Sequence, residues 1–222
     1  GVGIDWTSLG ETIETAIRML DNVVDINFYP TQEAENSNLR HRPIGLGLMG
    51  LHDILHILDI SIDSVEAVEF NDKLFEFYSN RSILASSRLA GEREEYPSFT
   101  GSLWDQGILP LDSWNNLMEY RGLRKSHKTH ADWDVVRESI KTNGMRNSNV
   151  MAIAPTATIG YINGVEQSIE PNFSVLFVYE CKSGNFYITN PHFVKDMKES
   201  ELWSVDMARL VKTVDGDLSL LN

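Results

Sequence analysis

Cysteine is almost absent from this chain. One residue, Cys181, stands among 222. A single thiol closes no intrachain disulfide and has no resolving partner, so a disulfide-stapled fold and a dithiol redox centre are both excluded. Basic residues are also scarce, with 19 Lys and Arg against 32 Asp and Glu and a net charge of −13. That balance argues against a nucleic-acid polymer as partner, because such binding needs a basic face. It leaves room for a nucleotide, which needs only a local anion site. No apolar run approaches the length that spans a bilayer, and no cleavable signal pattern opens the chain. A soluble, cytoplasmic protein without membrane contact is the expectation. Low-complexity tracts and internal repeats are missing too, so residues 1–222 are taken as one domain.

What is present suffices for a packed core. Hydrophobic residues make up 42% and aromatics 9% of the chain, which excludes a disordered polymer. Ser8-Leu9-Gly10-Glu11 has the form of a capping box. Leu9, Ile13, Ala16, Ile17, Leu20, Val23 and Val24 follow at helical spacing, ending near Asp25. Residues 31–41 are polar and read as loop. Ile44–Leu48 reads as a short strand, and Met49–Leu58 as a short helix. Asp63 is placed to cap a long amphipathic helix to about Arg93, with Val65, Val68, Leu74, Phe75, Phe77, Tyr78, Ile83 and Leu84 on its buried side.

Residues 96–112, with Pro97, Gly101, Gly107 and Pro110, form a long surface connection, and a short helix covers about 113–120. The basic stretch 121–131 has no periodicity and is expected to be mobile. Asp132 caps a helix that ends at Gly144. Val150–Ala154 reads as a buried central strand. Val175–Tyr179 and Phe186–Thr189 read as a hairpin around Ser183-Gly184, with Cys181 a half-exposed residue of its turn. Helices opening at Pro191 and near Trp203 complete an α/β pattern.

The densest chemistry lies at residues 144–173. Val150–Ala154 stops at Pro155, and Thr156, Ala157, Thr158 and Gly160 follow. If a helical turn opens at about Thr158, its free N–H groups converge on one spot and favour an anion. A strand, a proline stop and a capped helix without a ligand explain the same residues.

Several other motifs tempt. Gly45-Leu46-Gly47-Leu48-Met49-Gly50 has the glycine spacing of a dinucleotide site. However, Leu39-Arg40-His41-Arg42-Pro43 cannot be the hydrophobic strand that chemistry requires. His52-Asp53-Ile54-Leu55-His56 imitates a zinc-protease helix, yet it has no evident third ligand and its acid is short, so a helix-surface reading is preferred. Glu166 and Glu170 would share a helix face only without Pro171, and Glu170 is expected to fix a turn or pair with a cation such as Arg146. Trp104, Trp114, Trp133 and Trp203 are too dispersed for a base-stacking platform and read as core or interface.

Several strings taken together carry a resemblance. Arg42-Pro43-Ile44-Gly45-Leu46-Gly47, Gly107-Ile108-Leu109-Pro110 and Trp133-Asp134-Val135-Val136-Arg137-Glu138-Ser139-Ile140-Lys141 come first. Arg146-Asn147-Ser148, Ala154-Pro155-Thr156-Ala157-Thr158 and Ser168-Ile169-Glu170-Pro171 follow. In this order they resemble the large, catalytic subunit of ribonucleotide reductase, from near Trp6 to about Pro191. The resemblance implies a partial α/β barrel, the C-terminal portion of that family's ten-stranded barrel. It implies a part of an enzyme that reduces ribonucleoside diphosphates to deoxyribonucleotides by a radical mechanism.

By motif, Thr156, Ala157, Thr158 and Ile159 would line the substrate phosphate site. Many relatives carry a hydroxyl where Ile159 stands, so contact there would rest on the backbone. Arg146 and Asn147 would support the strand. The family's radical cysteine, with its Asn and Glu, belongs to a finger loop upstream of the matched region. No catalytic residue, metal ligand or cofactor site is therefore expected in this chain, and Cys181 gains no role. The implied partners are the ribonucleotide substrate, the N-terminal part of the large subunit, and a small metal-containing subunit as radical source. Cobalamin is the alternative, because that class shares Ile169-Glu170-Pro171-Asn172-Phe173. A non-catalytic assembly piece of a split reductase and an unrelated phosphate-binding α/β protein are the other readings.

Overall fold

The computed structural model describes residues 3–123 and 129–220. Residues 124–128, inside the basic stretch expected to be mobile, lie outside the described residues. Contacts divide the chain into two compact units, one of Gly3–Gly47 with Val68–Ala154, the other of 48–67 with 155–220.

The first unit is helical. α1 (Trp6–Ile26) buries Gly10, Ile13, Ile17, Asp21 and Val24 along one stripe, the three-to-four spacing that puts side chains on one face. Its cap is Asp5 and not Ser8: Asp5 Oδ1 accepts the N–H groups of Thr7 at 3.1 Å and Ser8 at 3.0 Å. α2 (Gln32–His41) forms where a loop was expected. It buries no residue, so hydrophobic periodicity had nothing to report. Its signals are electrostatic, with Thr31 capping, Glu33 and Glu35 in the first turn and Arg40 and His41 in the last.

α4 (Val65–Arg93) is the long central helix. Ser64 caps it, accepting the Ala67 N–H at 3.0 Å, whereas Asp63 accepts the Ser61 hydroxyl at 2.6 Å. Val65 and Val68, expected inside, are 76% and 68% exposed. Further along, Ser82, Ile83, Leu84, Ala85, Ser86 and Ser87 are all buried. A helix enclosed on every side needs small and hydroxyl residues all round and shows little amphipathic contrast.

α5 (Pro110–Tyr120) follows the expected connection. α6 (Trp133–Asn143) is capped by Asp132 and closed by Gly144, as its sequence indicates. The Trp133 indole N–H donates to Glu76 Oε1 at 2.8 Å, which satisfies its one polar atom in the core.

The strands expected at Ile44–Leu48 and Val150–Ala154 shrink to one parallel bridge, Leu46 to Met151. Leu46 N–H donates to the Val150 carbonyl at 2.9 Å, and Ala152 N–H donates to the Leu46 carbonyl at 3.2 Å. The contact is close. A Cβ on Gly45 would stand 2.8 Å from the Ala152 Cβ, and one on Gly47 would stand 2.8 Å from the Ala152 carbonyl oxygen. Pro155 has no N–H with which to continue a ladder. Val150 is buried, but Ile153 is 47% exposed, so the segment is not the fully buried strand expected.

The second unit holds α3 (Leu51–Ile57) and α7 (Ala157–Asn163). It continues with a hairpin of β1 (Leu176–Cys181) and β2 (Gly184–Thr189), then α8 (Pro191–Glu199) and α9 (Val205–Thr213). β1 and β2 pair antiparallel in register from Leu176 with Thr189 to Cys181 with Gly184. Cys181 is thus the last residue of β1 and precedes the two-residue turn. Among the described residues this hairpin is the whole sheet. The chain is mostly helical, and the α/β alternation is realised only in part. α3 and α8 pack together, and the Asn190 side chain caps α8 through the N–H groups of His192 and Phe193.

Candidate functional site

Pro155 interrupts the extended chain and Thr156 turns it. Thr156 stands at φ 50°, ψ 26° and is the N-cap of α7, but its side chain bonds no N–H of that helix. Its Oγ1 instead accepts the N–H of Ser168 at 2.8 Å. α7 opens one residue earlier than expected, at Ala157. Helical geometry leaves the N–H groups of Ala157, Thr158 and Ile159 without acceptors in their own helix, and all three residues are exposed. Ile159 is 49% exposed. Gly160 N–H closes the first turn on the Thr156 carbonyl at 2.8 Å. Gly160 itself is buried, and a Cβ there would come within 3.1 Å of the Val165 carbonyl oxygen and 3.3 Å of the Gln167 Cα. α7 therefore seats directly on the backbone of residues 165–167.

That seat is held by α3. Asp53 Oδ2 accepts the N–H of Glu166 at 2.7 Å, and the Glu166 carbonyl accepts the N–H of Gly50 at 2.8 Å. Asp53 Oδ1 meets His192 Nε2 of α8 at 3.1 Å. His52 Nδ1 accepts the N–H of Asn172 at 3.0 Å and also touches the Asn172 side-chain oxygen. Asn172 Nδ2 donates to Glu166 Oε1 at 2.6 Å. Burial, and then the neighbouring Asp53, push the Glu166 carboxyl above the ordinary carboxylate range.

Sequence reasoning treated His52-Asp53-Ile54-Leu55-His56 as helix surface; His56 is exposed, whereas His52 and Asp53 are engaged in hydrogen bonds. The two imidazoles pack on each other with centroids 4.4 Å apart, and His56 stacks on His192 at 5.1 Å. Among the described residues no group of three or more His, Cys, Asp or Glu is placed to hold a metal ion. Glu166 and Glu170 do not act as a pair. Glu166 faces Asn172, while Glu170 is exposed and turns its N–H toward the Gln167 carbonyl at 3.3 Å.

In the helical unit, the partner expected for Glu170 is engaged elsewhere. Arg146 Nε donates to Asp21 Oδ2 at 3.3 Å, and its Nη1 donates to the Arg93 carbonyl at 2.6 Å. Asp21 is fully buried. It also accepts from Arg42 Nε at 2.9 Å and Nη2 at 2.8 Å, from Arg93 Nη1 at 3.1 Å and from Asn147 Nδ2 at 3.1 Å. Arg42 clasps Asp25 with two further bonds, at 2.7 and 2.8 Å, and holds its carboxyl below the ordinary range. Asn147 and Ser86 bond each other twice, at 2.9 and 3.1 Å. Arg42, Arg146 and Asn147 therefore join segments distant in sequence. The Tyr78 hydroxyl donates to the Gly47 carbonyl at 2.7 Å, and burial raises its pKa.

Residues 2–219 match the family described as "Ribonucleotide reductase, barrel domain". The chain belongs to that family. It is 51% identical over 218 residues to the ribonucleoside-diphosphate reductase subunit alpha of Chlamydia pneumoniae, covering 97% of this chain and 21% of that protein. It is 35% identical over 217 residues to the large subunit of the Danio rerio reductase, covering 98% and 26%. Against the large subunit from Vaccinia virus (strain Copenhagen) it is 34% identical over 218 residues, covering 98% and 27%. The chain thus spans about a fifth to a quarter of the length of the relatives it matches. Among the described residues no helix is long and apolar enough to cross a membrane.

Proposed function

We propose that the chain is the substrate-phosphate portion of a ribonucleoside-diphosphate reductase large subunit, acting in the cytoplasm. In this reading residues 1–222 form one domain, the C-terminal part of the reductase barrel. The backbone N–H groups of Ala157, Thr158 and Ile159, with the hydroxyls of Thr156 and Thr158, receive the substrate phosphates. The observation that carries the reading is the exposed first turn of α7, buttressed from behind, in a chain of the reductase barrel family. No radical cysteine lies in this stretch, and the reacting thiol comes from the N-terminal part of the large subunit. The radical comes from a metal-containing small subunit. The 222-residue chain alone then shows no turnover, and activity requires both partners.

Substitution at Thr158 tests the loop in the assembled enzyme. Several aligned N–H donors share one phosphate, so no single side chain dominates. Thr158→Ala weakens nucleotide binding by ~0.5–1.5 kcal/mol, or up to ~3 kcal/mol with a charged acceptor. Thr158→Pro removes an N–H at the anion and does far more. Equal nucleotide affinity for Thr158→Pro and the parent, with the fold retained, would leave the loop a structural turn and the assignment wrong.

A further inference from the structure

We infer that Asp53, backed by His192, is a positioning residue for the 155–160 loop, acting through the segment 166–172; this rests on the phosphate reading of that loop. The segment is gripped at both ends from α3. At one end Asp53 Oδ2 accepts the Glu166 N–H and the Gly50 N–H donates to the Glu166 carbonyl. At the other, His52 Nδ1 takes the Asn172 N–H. Between the grips stands Ser168, buried and at φ 48°, a conformation that costs a non-glycine residue energy and persists only when its surroundings enforce it.

Ser168 hands its N–H to Thr156 Oγ1. A hydroxyl has one proton to give and two lone pairs. With one lone pair occupied by Ser168, the Thr156 O–H is steered to donate elsewhere, and the phosphate is the acceptor this reading supplies. Gln167 of that segment, with the adjoining Val165, also forms the floor under Gly160, so the segment helps to set the height of the α7 first turn. His192 completes the device. It holds the second oxygen of Asp53, and both side chains are well shielded, at 20% and 14% exposure. Asp53 thus controls substrate affinity without touching substrate.

The test is steady-state kinetics of the assembled reductase with cytidine diphosphate, beside amide hydrogen exchange at Ser168 and Gly160. Loss of the grip loosens ground-state and transition-state binding alike, so Asp53→Ala is expected to raise KM about tenfold while kcat changes less than about twofold. Exchange at both amides should accelerate. Asp53→Asn keeps an acceptor for the Glu166 N–H and should recover most of the affinity. The pair His192→Phe and His192→Gln gives the same contrast at smaller amplitude, and it carries the test if Asp53→Ala does not fold. A folded Asp53→Ala or His192→Phe enzyme with parental KM and exchange, while Thr158→Pro has lost nucleotide binding, overturns the positioning role and spares the loop. A Thr158→Pro enzyme that binds nucleotide normally removes the loop reading, and this inference with it.

Discussion

Two polar clusters in this chain solve opposite problems. Around Asp21, three arginines and an asparagine converge on one fully buried carboxylate. Around Asp53, a carboxylate of intermediate exposure meets an imidazole and a backbone N–H. The first cluster surrounds its carboxylate with its own donors. It ties α1, the Arg42 turn, the end of α4 and the Arg146-Asn147 segment into one unit. The second joins a carboxylate and an imidazole to a backbone segment that includes Ser168 in a strained conformation. A buried ion network with every lone pair engaged is a structural lock, because removing one partner strands the others. A half-buried clamp on a short segment can instead tune the placement of what the segment touches.

The largest expected effect lies in the lock. Asp21→Ala leaves Arg42, Arg93 and Arg146 facing a void without their shared anion, and should destabilise the chain by about 3–5 kcal/mol. Urea denaturation of parent and variant measures it, and a loss under about 1 kcal/mol would mean that the arginines find other partners. A middle-sized effect is expected at the bridge between the Ile44 and Val150 segments. Gly45→Ala sets a Cβ 2.8 Å from that of Ala152, and overpacking of this kind costs about 1–3 kcal/mol. If Gly45→Ala melts at the parental temperature, the two segments can part without penalty.

The smallest effect concerns Glu166, and its sign separates the two clusters. Its carboxyl is raised by burial and by Asp53. The folded state therefore favours the protonated form. That contribution is complete below the ordinary carboxylate range and is lost as pH rises through the raised value. Glu166→Gln, which keeps an acceptor for Asn172, should be more stable than the parent at neutral pH by under about 1 kcal/mol, and equal to it in acid. The Asp25 carboxyl runs the other way. Arg42 lowers it, so its contribution is present above the ordinary range and fades as pH falls. Thermal melts across pH that show Glu166→Gln less stable than its parent at neutral pH would reverse the argument.

The helices with a buried stripe or a conventional cap were legible in the sequence. α1 and α6 announced themselves through periodicity, and α6 also through Asp132 and Gly144. The hairpin followed from two apolar runs around Ser183-Gly184. α2 was missed because it has no apolar face, and α4 was misjudged at its first turn because Val65 and Val68 look like core residues and lie outside. The strands at Ile44 and Val150 were overextended, since an apolar run reports burial or pairing only when a neighbour is present to receive it. At the candidate site, Thr156, Ala157, Thr158 and Ile159 were proposed from motif and loop chemistry. Asp53 and His192 were not assigned, because 139 positions separate them and the helix that carries Asp53 was read as surface.

By itself, the sequence determined the family, the existence of most of the helices, and the stop at Pro155. These depend on short-range rules: caps, turn residues, apolar spacing and an ordered series of motifs. Tertiary structure alone decided which charges meet. Asp21 lies 125 positions from Arg146 and Asp53 lies 113 from Glu166. A carboxylate's role depends on its dielectric surroundings and on the donors the fold brings to it, and neither is written in its neighbours along the chain.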